Sequence, residues 1–124
     1  MGISFDNALG VHTHTLELRA ERSKVIAGNL ANVDTPGFKA RDFDFQAAVS
    51  QVEHRLQQGQ KTSSSVVHPQ ELMYRNPYNN SIDGNTVELG VEQAQFAQNA
   101  MDFETSLTFL NMKFKGLSTA IMGQ

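Results

Sequence analysis

The side chains able to do chemistry in these 124 residues are four histidines, 13 Asp or Glu and 10 Lys or Arg, with no cysteine. The missing thiols exclude disulfides, thiolate zinc centres and thiol nucleophiles. His12 and His14 are two residues apart, which on a helix points them ~200° from each other. A helical metal pair needs a spacing of about three or four. His54 and His68 stand alone in sequence. Asp42 and Asp44 could act as paired carboxylates, yet a helix cap accounts for Asp42 without chemistry. No G-x-S-x-G, H-E-x-x-H, P-loop or G-x-G-x-x-G pattern occurs, so nothing proposes a nucleophile, a zincin site or a phosphate cradle. The expectation is a protein without catalytic residues, metal or cofactor.

The net charge is −3 and no basic block is present, which argues against nucleic-acid binding, since that needs clustered Lys and Arg to displace counterions. No apolar run reaches the ~18–20 residues of a spanning helix. The first residues, MGISFDNALGVHTHT, lack the basic and unbroken apolar regions of a cleaved secretory signal. A modest interaction or structural module remains.

All three prolines (Pro36, Pro69, Pro77) fall between residues 33 and 86. The chain therefore reads as an N-terminal helix within 1–32, an irregular middle over 33–86 and a C-terminal helix within 87–124. In the last segment Phe96, Ala100, Phe103, Leu107, Leu110, Phe114, Leu117 and Ile121 keep a strict 4-3 spacing, a coiled-coil-like stripe. Asn85 offers an N-cap, with Glu88 placed to reach back as in a capping box. The first segment carries a weaker stripe of the same spacing, Leu9, Thr13, Leu16, Ala20, Ser23, Ala27 and Leu30. Small residues there face large ones on the other stripe, so the two helices are expected to interdigitate along one seam. The predicted fold is mainly α, an antiparallel coiled-coil-like hairpin of the two terminal helices.

Each helix also carries apolar residues away from that seam: Val11, Leu18 and Val25 on the first, Met101, Phe109, Met112 and Met122 on the second. A bare hairpin would expose both rows, and contiguous apolar surface marks an interaction site. Either the middle segment folds back over these rows or other chains cover them; the row lengths favour other chains.

Asn32 to Gly37 stops the first helix, because Thr35 before proline leaves αR and Pro36-Gly37 suits a type II turn. Asp42 is expected to cap a short helix over about 43–58, with Phe45, Ala48, Val49, Val52 and Leu56 on one side. Residues 57–65 (QQGQKTSSS) read as a flexible loop and Val66-Val67 as a short strand. Leu72, Met73, Tyr74 and Tyr78 suffice for a small satellite cluster. The amides of Asn29 and Asn32 either finish the helix or bond across a subunit contact.

Residues 29–45 read NLANVDTPGFKARDFDF, and Asn29, Asn32, Thr35, Pro36, Gly37, Phe38, Asp42 and Phe45 in it resemble the signature of the bacterial flagellar axial proteins of rod, hook and hook–filament junction. The continuation TPGFKARDFDF, the short length and the ending DGNTVELGVEQAQFAQNAMDFETSLTFLNMKFKGLSTAI look like the proximal-rod branch of that family. The resemblance implies a non-catalytic subunit that polymerises through its terminal helices into a drive shaft transmitting motor torque. It implies self and other rod subunits as partners in a helical assembly, together with membrane-ring or adaptor proteins and the type III export gate. It places the chain in the periplasm-spanning basal body, exported without a cleaved signal. Phe5 and Leu9 (FDNAL) are similar to the export-recognition pattern of early rod and hook substrates. Under this reading the off-seam rows become subunit surfaces, and the terminal helices of a free subunit fray until assembly orders them. A stand-alone helical adaptor or chaperone that binds partner helices is the alternative.

Overall fold

Proline-free sequence at both ends becomes helix in the computed structural model, which describes residues 5–59 and 72–123, with side chains in the first helix from Leu9 onward. Helix α1 covers Phe5–Ala31, α2 covers Phe45–Gln57 and α3 covers Leu89–Met122. Two short strands, β1 (Arg41–Asp42) and β2 (Met73–Tyr74), pair antiparallel with Arg41 opposite Tyr74 and Asp42 opposite Met73.

The two long helices run antiparallel in contact. Asn29 meets Glu92, Arg19 meets Asp102 and the His12 ring lies beside Phe109. That register carries α3, 34 residues and ~50 Å long, more than a full turn past the first residue of α1.

The stop after α1 follows the turn chemistry of its sequence. Phe38 N–H donates to the Thr35 carbonyl at 3.2 Å, and Gly37 holds φ 74°, a left-handed conformation that a type II turn demands at that position. The loose carbonyls at the end of α1 are met from a distance. Asn85 Nδ2 donates to the carbonyls of Asn32, Val33 and Thr35 at 2.8 to 2.9 Å. Asn85 thus closes α1 instead of capping α3. The N-cap of α3 is Glu88, without a side-chain cap bond; its carboxylate accepts from the Tyr78 and Asn79 N–H groups.

Helix α2 starts one turn signal later than expected. Its N-cap is Asp44, whose Oδ1 accepts from Ala47 N–H at 3.1 Å, because Asp42 is engaged by two arginines. The spacing of Ala48, Val49, Val52 and Leu56 turns one face of α2 onto α1. There Leu18, at 0% exposure, packs with Phe43, Ala48 and Val52, flanked by Val25, Phe45, Val49, Leu56 and Leu72. A Cβ on Gly10 would sit 3.4 Å from Leu56 Cδ1, so the last turn of α2 lies close against α1.

This overturns the assignment of Leu18 and Val25 to a subunit surface. The middle segment folds back, burying Leu18 and half-burying Val25, because α2 needs an apolar partner for its own face. Val11 is half-buried. The expected satellite cluster does not form: Leu72 joins the core, while Met73, Tyr74 and Tyr78 are exposed. The expected strand at Val66-Val67, His68 and most of the 57–65 loop lie outside the described residues.

Leu18→Ala removes a fully buried side chain, so urea denaturation should show a loss of about 2–5 kcal/mol. Met112→Ala, on the exposed side of α3, should stay within about 0.5 kcal/mol of the parent. Equal effects of the two changes would contradict the core described here.

Candidate functional site

The 29–45 motif folds into the junction where α1, β1, β2 and α3 meet. Asn29 is buried and its amide completes a strand-like pair with Arg41. Asn29 Nδ2 donates to the Arg41 carbonyl at 2.7 Å, and Arg41 N–H donates to Asn29 Oδ1 at 3.0 Å. The same Nδ2 also reaches Glu92 Oε2 at 3.2 Å. Asn29 is therefore committed within its own chain rather than across a subunit contact. Asn32 serves the helix end, donating to the Gly28 carbonyl and accepting from the Thr35 hydroxyl.

Four charges close this junction. Arg22 straddles Asp42 through Nε and one terminal nitrogen at 3.2 and 3.1 Å, and also donates to Gln95. Arg75 bridges Asp42 to Glu92. Glu92 is 1% exposed, a burial that a carboxylate tolerates only when paired and hydrogen-bonded. Two arginines against two carboxylates leave the cluster neutral, and its members come from α1, β1, the loop after β2 and α3. Burial alone would raise the Asp42 pKa, but the Arg22 bond and charge, the Phe43 N–H and the Arg75 bond outweigh it and hold the carboxyl below its ordinary range.

The polar contact continues along the α1-facing side of α3. Asn99 is buried, and its Nδ2 donates to the Arg19 carbonyl and Ser23 Oγ at 2.9 and 2.7 Å. Arg19 pairs with Asp102 at 3.2 Å and lies 4.2 Å over the Phe45 ring. Burial, more than the Asp102 charge offsets, lowers the Arg19 pKa.

Glu92, Gln95, Asn99 and Asp102 thus form the inner face of α3, one position away from the apolar stripe. A one-residue offset turns a helix by about 100°, so the stripe lies beside the α1 contact rather than within it. Of the expected seam, Leu110 is buried and Phe103 and Leu117 are half-buried, but Phe96, Leu107, Phe114 and Ile121 are exposed. On α1, Leu9 is buried and Leu16 and Leu30 are half-buried. The seam is therefore polar from Glu92 to Asp102, where an apolar zipper was expected, and Leu110 is buried beyond it. The sequence signal for it was the 3-4-3 spacing of Glu92, Gln95, Asn99 and Asp102.

Among its polar residues α3 also shows large apolar side chains to solvent. Phe96, Leu107, Phe114 and Ile121 join Met101, Phe109, Met112 and Met122, all between 36% and 71% exposed. Leu9, one half of the export-recognition pair, is buried; the side chain of Phe5 lies outside the described residues. His12 packs on Phe109 with ring centroids 4.9 Å apart, and His14 lies 3.4 Å from Glu17. Among the described residues no group of three His, Asp or Glu is placed to hold a metal ion, and no helix is long and apolar enough to cross a membrane.

The depressed pKa of Asp42 fixes the sign of a pH effect. Its contribution to stability is complete above the ordinary Asp value of about 3.9 and is lost as pH falls through the lower folded value. Denaturation at pH 6 and pH 3 should show Asp42→Asn less stable than the parent at the higher pH, with a smaller loss on acidification. An identical acid dependence in the two proteins would contradict the charge pairing.

Residues 9–39 match the family model described as flagella basal body rod protein. The chain is 40% identical to flagellar basal body rod protein FlgB of Aeromonas hydrophila, covering 100% of this chain and 99% of that one. It is 36% identical to the protein of that name from Salmonella typhimurium, with 95% of each chain covered. The Escherichia coli K12 protein of that name is 37% identical, with 94% of each covered. The matched region contains most of helix α1 and the turn that the Asn29 and Asn85 amides fasten, and the chain belongs to the flagellar basal body rod protein FlgB family, structural subunits rather than enzymes.

Proposed function

We propose that the exposed apolar side of α3 is the surface by which this subunit packs against neighbouring subunits of the flagellar rod. The observation that carries the reading is the eight large apolar side chains between Phe96 and Met122 left open on α3, with Phe96, Leu107, Phe114 and Ile121 along one stripe and Met101 and Met112 well round the helix from it. Exposed apolar stripes of this kind mark contacts with other proteins. Among the described residues no further element covers these side chains, because α2 packs on Leu18 and Val25.

Torque transmission suits such a surface. A shaft under twist needs many modest contacts in parallel, and a ~50 Å helix spreads them along its length. Each buried apolar area contributes about 25 cal/mol per Å2, offset by the entropy of ordering side chains. A rigid junction at one end keeps the helices in register while the outer row meets its neighbours. Rod subunits are the partners most directly supported by family membership. Membrane-ring or adaptor proteins and the type III export gate extend the same reading, on the resemblance of the chain and its FDNAL segment to early export substrates.

Met112→Glu and Phe114→Glu each place a charge on one of the exposed stripes. Both purified variants should fold, with helix content and melting close to the parent. In cells lacking the native chain, each should abolish incorporation into basal bodies and swimming. Normal motility with both variants would contradict the assignment of this face.

A further inference from the structure

Charge is divided along α3. Its acidic residues, Glu92, Asp102 and Glu104, all lie in the N-terminal half, and after Glu104 the only charges on the helix are Lys113 and Lys115. Two of the acids are engaged within the chain, Glu92 by Asn29 and Arg75 and Asp102 by Arg19. The part of α1 that runs beside the second half of α3, Leu9 to Leu16, carries no acidic residue.

The lysines stand where their sequence puts them. Lys113 and Lys115 are the two neighbours of Phe114, so they lie about 100° to either side of it. Leu107, Phe114 and Ile121 recur every seven residues, a line that drifts only about 20° per step. Exposure along that line rises from 36% at Leu107 to 67% at Ile121, as α3 runs past the end of α1. Lys113 lies 5.5 Å from the Phe109 ring centre, and Lys115 has no hydrogen-bond or ion-pair partner among the described residues.

An apolar line along a convex helix face, with an ammonium group on each flank, suits a helix lying in the surface of an anionic bilayer. The lysine stems then follow the apolar side chains while their heads reach the phosphates. We propose that α3 from Leu107 to Met122 seats the free subunit on the surface of an anionic phospholipid bilayer, Leu107, Phe114 and Ile121 in the acyl boundary and Lys113 and Lys115 at the headgroups. Charge complementarity selects this occupant. The whole chain carries a net charge of −3 while this stretch is positive, so an anionic surface attracts the end of α3 and repels the rest. The helix lies on the membrane, since among the described residues none is long and apolar enough to cross it. The inference goes beyond rod packing: the stripe that neighbours cover in the rod is open in the free subunit, and lipid occupies it there.

Flotation of the full chain with vesicles of phosphatidylcholine, with and without phosphatidylglycerol, tests the seat. The native chain should bind the anionic vesicles at least about ten-fold more strongly, and added salt should erase the difference. Lys113→Gln combined with Lys115→Gln leaves the apolar line intact and should bind both vesicle types equally weakly. Ile121→Glu should bind neither. Circular dichroism checks that each variant keeps the native helix content. Phe114→Trp supplies the only indole in a chain without tryptophan, and its emission should move to shorter wavelength on anionic vesicles. A native chain that stays off the vesicles, singly or as its own oligomers, would overturn the proposal. So would equal or salt-insensitive binding to the two vesicle types, native-like binding by the double lysine variant or by Ile121→Glu, or an unshifted indole emission. None of these outcomes bears on the rod-subunit reading, which is judged by whether the native chain is present in isolated basal bodies.

Discussion

Arg22 of α1, Asp42 of β1, Arg75 just after β2 and Glu92 of α3 meet in one neutral, largely buried cluster. Everything else in the molecule is arranged around that meeting point. Removing Arg75 in particular leaves the buried Glu92 carboxylate without its only cation, a loss that typically costs about 3–5 kcal/mol. The cluster does not have to add much net stability to matter. Its effect is to admit one arrangement of α1, the β1–β2 pair and α3, because no shifted register returns both carboxylates to both guanidinium groups. Asn29 and Asn85 extend the same constraint by satisfying backbone groups that the turn after α1 leaves open.

The cluster also decides which way α3 faces. With Glu92, Gln95, Asn99 and Asp102 drawn towards α1, the apolar stripe one position away is turned outward. A helix pair zipped along that stripe would be content alone in water. A pair zipped along a polar face, with Phe and Met outside, is completed only in company. Polar contacts inside and apolar side chains outside suit the subunit packing proposed above.

Much of this was legible in the residues. Proline placement gave two long helices around an irregular middle, the Pro36-Gly37 pair gave the turn, and the spacing from Phe45 to Leu56 gave the face of α2. The errors share one cause. Hydrophobic periodicity locates a stripe on a helix but does not say which stripe meets which partner. The 4-3 row from Phe96 to Ile121 was assigned inward and Leu18 outward, because apolar residues were expected to fill the seam. Polar residues fill it instead, and their partners are 63 to 83 positions away in sequence, a separation over which no local pattern operates. Asn85 is a similar case: its position suggests a cap for the helix it precedes, yet its side chain closes a helix that ended some fifty residues earlier.

The claim on which this account depends is that the outer side of α3 is bare in the lone subunit and covered in the rod. The chain has no cysteine, so a single Met112→Cys replacement reports on that face without competition. Maleimide labelling should be rapid in the purified subunit and at least about ten-fold slower in intact basal bodies. Equal labelling rates in the two states would contradict the account.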